Sequence, residues 1–110
     1  MNYFDELKRT MEWLGQQEKT IFIGQTVAGP GTFMYNTLKD VPIEKRWEMP
    51  INESFQMQFC IGVALEGSHI PISVYPRQNF LLLATADMTN MLDKIPAISE
   101  GKKIPHIIIR

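Results

Sequence analysis

Glu53 is the residue of this sequence whose setting most suggests chemistry. It lies between the apolar Met49-Pro50-Ile51 and the bulky Phe55, and opens an apolar segment containing Gly62, Val63, Ala64 and Leu65. Asn52 before it is a helix-capping residue type, and the glycine of Glu66-Gly67 is a stop signal. An acid in the first turn of a helix ordinarily serves to favour the helix dipole. An acid entering a poorly solvated helix can instead handle a proton. The small residues of the segment predict a helix packed closely on a sheet.

The other reactive side chains are less suggestive. His69 falls in a turn and His106 within an expected strand, and no cysteine or carboxylate stands near either at metal-ligand spacing. Ordinary structural roles are the expectation, and no metal site is assigned. The single cysteine, Cys60, excludes an intrachain disulfide and reads as a small core residue. Met34, Met49, Met57, Met88 and Met91 read as core filler. Gly29-Pro30-Gly31 follows a strand, as phosphate-binding loops do, but its spacing fits neither the dinucleotide fingerprint nor the P-loop. Turn chemistry accounts for these glycines.

The elements that must position these groups follow from periodicity. Phe4, Leu7, Met11 and Leu14 recur at helical steps and predict an amphipathic helix over 2–16, with Asp5 and Glu6 in its first turn. Residues 20–24, Thr-Ile-Phe-Ile-Gly, form a continuous apolar run typical of a buried strand. A loop over 25–32 and a helix over 33–39 follow, then a short strand over 46–49 and the Glu53 helix. Residues 70–75 are the next strand, 78–94 a largely buried helix, and 104–109 a β-branched strand with Pro105 near its beginning. Helix and strand alternate throughout, which predicts an α/β fold: a mostly parallel sheet with helices on both faces. Functional groups should then gather at the carboxyl ends of the strands.

Length and charge narrow the class. A chain of 110 residues suffices for one domain with its own core. With 45% hydrophobic and 21% charged residues it reads as globular rather than disordered. A net charge of −1 offers no footprint for nucleic acid or an anionic membrane. Charged residues within the first nine positions and the lack of a long apolar run argue against a secretory signal or a membrane span, so a cytoplasmic protein is expected.

The run Arg46-Trp47-Glu48-Met49-Pro50-Ile51-Asn52-Glu53 resembles the Arg-x-x-x-Pro-Ile-x-Glu segment of thiamine-diphosphate enzymes. It is most similar to the beta subunit of the decarboxylating component of 2-oxoacid dehydrogenase complexes, with transketolases as more distant relatives. The similarity extends from Ile23-Gly24-Gln25-Thr26-Val27 through Gly62-Val63-Ala64, Gly67, the 71–75 strand, Asn79-Phe80, Asn90, Lys94, Ser99 and Gly101 to the closing Ile-Ile-Ile-Arg110. The resemblance implies that residues 1–110 form a pyrimidine-binding domain, partial and truncated at its C-terminal side. It implies that Glu53 hydrogen-bonds the N1′ nitrogen of the aminopyrimidine, favouring the imino tautomer that deprotonates the thiazolium C2 to the reactive ylid. A carboxyl sharing a proton with a weakly basic ring nitrogen works best where burial disfavours its charged form. Phe80 would stack on the pyrimidine and Tyr75 would form a second wall. An offset aromatic contact of that kind contributes on the order of 1 kcal/mol beyond burial.

The sequence also departs from that pattern. Gln25 and Ala86 stand where the family usually has acids, Leu83 where it often has glutamine, and Pro76-Arg77-Gln78 replaces a more apolar loop. The Gly-Asp-Gly…Asn motif that holds the diphosphate through magnesium is missing. In two-chain relatives it belongs to the alpha subunit, so an alpha-type diphosphate-binding partner carrying the Mg2+ is implied, within a homo- or hetero-oligomer. The alternative is a non-catalytic accessory or fragment protein that keeps the fold and a protein-binding surface. A flavodoxin-like module for a nucleotide or flavin is a third reading, resting on the alternating pattern and the glycine loop.

Overall fold

The computed structural model describes residues 2–110. Four parallel strands form one sheet in the order β2-β1-β3-β4, with β1 Thr20–Gly24, β2 Arg46–Glu48, β3 Ile70–Val74 and β4 Ile108–Ile109. The expected α/β parallel-sheet fold is therefore present. β1 is central, paired from Phe22 to Gly24 with β2 and along its whole length with β3. All five of its residues are buried, as its unbroken apolar run requires.

Alternation along the strands sends side chains to two faces. Phe22, Ile72 and Val74 face α1 (Tyr3–Gly15) and α2 (Phe33–Leu38), packing with Met11, Leu14, Met34, Leu38 and Val41. Ile21 and Ile23 face α3 (Glu53–Glu66), where Cys60 packs on them. Burying a Phe22- or Ile23-sized side chain contributes about 1.5–3 kcal/mol, so the two layers hold the sheet between them. Helices thus cover both faces.

α1 begins as its sequence indicates: the Asn2 side chain accepts the Asp5 N–H at 2.9 Å, and Asp5 and Glu6 occupy the first turn. α3 is bounded in the same way. Asn52 Oδ1 accepts the Phe55 N–H at 2.9 Å, and Gly67 ends the helix at φ 92°, a left-handed cap. Gly62, expected against the sheet, instead faces outward, and a Cβ built there meets nothing within 4 Å. The contacts with the sheet side come from Cys60 and from a fully buried glutamine, Gln56.

Two further expectations fail. The helix over 78–94 is neither continuous nor largely buried. It consists of α4 (Gln78–Leu81), a 3-10 turn over Leu82–Ala84, α5 (Thr85–Asp87) and a π-type turn over Met88–Leu92, followed by α6 (Ile95–Ile98). Leu81, Ala84 and Met88 pack toward α3, whereas Leu82 and Leu83 are more than 60% exposed. Thr85 Oγ1 donates to Leu82 O at 2.6 Å and Thr89 Oγ1 to Thr85 O at 3.0 Å, side-chain bonds that bend a helix by competing for its carbonyls. The strand over 104–109 shrinks to Ile108–Ile109, paired with Ile72 and Ser73. Pro105 has no N–H to place in a ladder, and the strand lies on the sheet edge. His106 therefore precedes the strand rather than lying in it.

One close approach fixes the centre of the sheet. A Cβ on Gly24 would lie 2.2 Å from Val74 O, a backbone atom that cannot move without parting β1 from β3. Gly24→Ala is expected to destabilise the fold by about 2–3 kcal/mol, as overpacking does; chemical denaturation with a two-state fit measures it.

Candidate functional site

Three strand exits meet at the carboxyl edge of the sheet. Gln25 follows β1, the segment 49–52 carries the chain from β2 into α3, and Tyr75 follows β3. α3 returns across β1 to reach β3, so its N-terminus, with Glu53 as first helical residue, must start at this edge.

Glu53 is 9% exposed. Its Oε1 accepts from Gln25 Nε2 at 3.4 Å, while Oε2 makes no hydrogen bond among the described residues. Tyr75, also buried, donates its hydroxyl to the Glu53 backbone carbonyl at 3.4 Å. Two expected site residues, Glu53 and Tyr75, are therefore brought together, with Gln25 beside them. Phe80 sits in α4, half-buried, and no aromatic pair or side-chain hydrogen bond joins it to Glu53 among the described residues.

Below this group a polar knot ties α3 to the sheet. Gln56, one turn after Glu53, donates Nε2 to Ile23 O at 3.3 Å, Ser73 Oγ at 3.1 Å and Val74 O at 2.9 Å. Its Oε1 is buried without a partner, an arrangement that costs about 1–3 kcal/mol. Asp87 is a second buried carboxylate in this region, held by Gln58 Nε2 at 2.8 Å. Neither Gln56 nor Asp87 stands out in the sequence reading. The available signal was the one that singled out Glu53, a polar residue inside an otherwise apolar helix.

Glu48 was also missed. From the end of β2 its carboxylate accepts three consecutive backbone N–H groups of the loop after β1: Thr26 at 2.7 Å, Val27 at 3.0 Å and Ala28 at 3.1 Å. Successive N–H groups pointing at one anion form a nest. Arg46 supports the same loop, donating to Val27 O at 3.2 Å while its guanidinium lies 5.6 Å from the Tyr35 ring centre. The glycines beyond serve the turn, with Gly31 at φ 109°.

His69 lies apart, on an apolar groove of about 370 Å³ walled by Trp47, Phe59, Gly62 and Val63. Among the described residues no three His, Cys, Asp or Glu side chains converge, and no helix is long and apolar enough to cross a membrane.

Burial pushes the Tyr75 hydroxyl up to about 12, against the pull of the Ser73 hydroxyl and with added repulsion from Cys60, Asp87 and Glu53. Burial pushes the Cys60 thiol up to about 11, again opposed by Ser73. Both protons are held more tightly in the folded chain than in the unfolded one. The stability they contribute is thus complete below the ordinary values of 9 and 10 and falls as pH rises through the folded ones. The denaturation midpoint is expected to decline from about pH 9 upward, and less steeply in Cys60→Ala; a midpoint that stays flat to pH 11 would contradict the assignment.

Glu48→Gln leaves the nest with a weaker acceptor. Because Glu48 is exposed, the expected loss is only about 1 kcal/mol, but amide hydrogen exchange at Thr26, Val27 and Ala28 should accelerate selectively.

No protein-family model matches this chain, and no curated protein matches it significantly.

Proposed function

We propose that this chain is the beta-type, pyrimidine-binding part of a thiamine-diphosphate-dependent 2-oxoacid dehydrogenase or transketolase-like enzyme, working at an interface with a diphosphate-binding chain in the cytoplasm. The observation that carries this reading is the buried Glu53 with one unpartnered carboxylate oxygen, beside Tyr75, at the carboxyl edge of a parallel sheet. That free Oε2 is the acceptor a protonated ring nitrogen requires, which supports an aminopyrimidine as its ligand. Glu53 would hold the proton at the ring nitrogen, Tyr75 would wall the site, and Phe80 would supply an aromatic face. Thiamine diphosphate, when bound, supplies the carbon-centred chemistry on the 2-oxo acid.

A partner is part of the proposal. Ile51 and Phe55, two residues to either side of Glu53, are 85% and 46% exposed, and Trp47 is 44% exposed. Trp47, Phe59 and Phe55 form a row with ring centres 6.4 and 6.2 Å apart. Exposed aromatic surface of this kind is characteristic of interfaces. An alpha-type chain seated there would bring the magnesium and diphosphate ligands.

A second reading has its own support. Gln25 puts a neutral amide against Glu53, and the aromatic row suits protein contact whether or not chemistry follows. The chain would then be a non-catalytic accessory protein.

Calorimetry with thiamine diphosphate and magnesium, with and without an alpha-type chain, separates the two. The catalytic reading expects cofactor heat only in the complex. It also expects Glu53→Gln to lower turnover by roughly 10²-fold or more with assembly unchanged. Complex formation without cofactor heat, or full turnover in Glu53→Gln, would overturn it.

A further inference from the structure

A second feature of the carboxyl edge is independent of Glu53. The chain leaves β1 toward β2 on one side and leaves β3 toward β4 on the other, although β1 and β3 are neighbours. In an open parallel sheet this reversal of direction opens a crevice in which ligands bind. A cavity of about 180 Å³ lies there, lined by Thr26, Thr32, Phe33, Met34, Pro76 and Arg77. Thr26 and Pro76 each stand two residues past their strand ends, Gly24 and Val74.

The lining has the makings of an anion site with an apolar side. Thr26 Oγ1 is buried without a hydrogen-bond partner among the described residues, although a hydroxyl can donate one bond and accept two. Arg77 is exposed and forms no ion pair among the described residues. Thr26 also holds φ at 59°, a left-handed conformation that β-branched residues rarely adopt. Strain of this kind persists only where the surroundings impose it, and it gathers at binding sites. The Glu48 carboxylate imposes it here by accepting the N–H groups of Thr26, Val27 and Ala28.

The chemistry of the lining selects the ligand. The Arg77 guanidinium fork matches a carboxylate. Phe33, Met34 and Pro76 match a short hydrocarbon chain. The volume is below the roughly 300 Å³ at which drug-sized ligand sites begin, too little for a nucleotide. We infer that the crevice between the β1 and β3 exits binds a short-chain monocarboxylate, its charge on Arg77 and its tail against Phe33 and Met34. Neither Glu53 nor Phe80 lines this crevice, so the inference holds or fails apart from the thiamine-diphosphate reading.

The test is an NMR titration of the isotopically labelled chain with butyrate, with butyramide and inorganic phosphate in parallel. Saturable shifts at the Thr26 and Met34 methyl groups are expected with butyrate, with butyramide at least about tenfold weaker because it lacks the charge. Arg77→Gln should weaken butyrate at least about tenfold. Absence of saturable shifts at the crevice, equal binding of butyramide, tighter binding of phosphate, or unchanged affinity in Arg77→Gln would each overturn the assignment.

Discussion

The structure depends on the burial of one strand between two parallel neighbours. Parallel strands cannot be joined by a tight turn, so the chain must leave β2, cross the sheet as a helix and re-enter at β3. That crossing helix is α3, and it spans β1. Its start is thereby fixed at the carboxyl edge, which is where Glu53 stands. Gly24 permits the arrangement by letting β1 and β3 approach at Val74 with no side chain between them. The same constraint brings Gln25 and Tyr75, residues on either side of that approach, to the same corner of the molecule.

Polar groups at this edge divide into two sets. Gln56 and Glu48 are committed to the protein's own backbone: one binds strand carbonyls beneath α3, the other the N–H groups of the loop after β1. Glu53 Oε2, Thr26 Oγ1 and the Arg77 guanidinium are left without partners among the described residues. Of these, Arg77 and Thr26 line a cavity, and an unpaired charge beside a cavity is where a ligand can be recognised. The committed set keeps the free set in position. Glu48 in particular holds Thr26 in a conformation its own side chain disfavours.

Much of this could be read from neighbouring residues alone. The cap at Asn52, the stop at Gly67 and the buried strand over 20–24 were legible because each is decided within one turn or one strand of chain. Glu53 was legible as an acid in apolar surroundings. The broken helix over 78–92 was not, because hydrophobic content alone does not reveal which leucines find a surface to cover them. Leu81 does, against α3, whereas Leu82 and Leu83 do not. The short β4 was overestimated for a related reason: β-branched composition signals a strand, but a ladder also needs N–H groups in register, and Pro105 interrupts it.

The sequence by itself determined the kinds and limits of most elements, the alternation that demands a parallel sheet, and the one acid at the head of an apolar helix. These follow from capping, backbone freedom and burial pattern, which act over a few residues. Only the tertiary structure decided that Glu48 would fill the nest at Thr26, that Gln25 and Tyr75 would flank Glu53, and that Arg77 would share a crevice with Thr26. Those partners are separated by about twenty to fifty residues. They meet because strand order and crossover, rather than any local preference, decide which strand ends become neighbours.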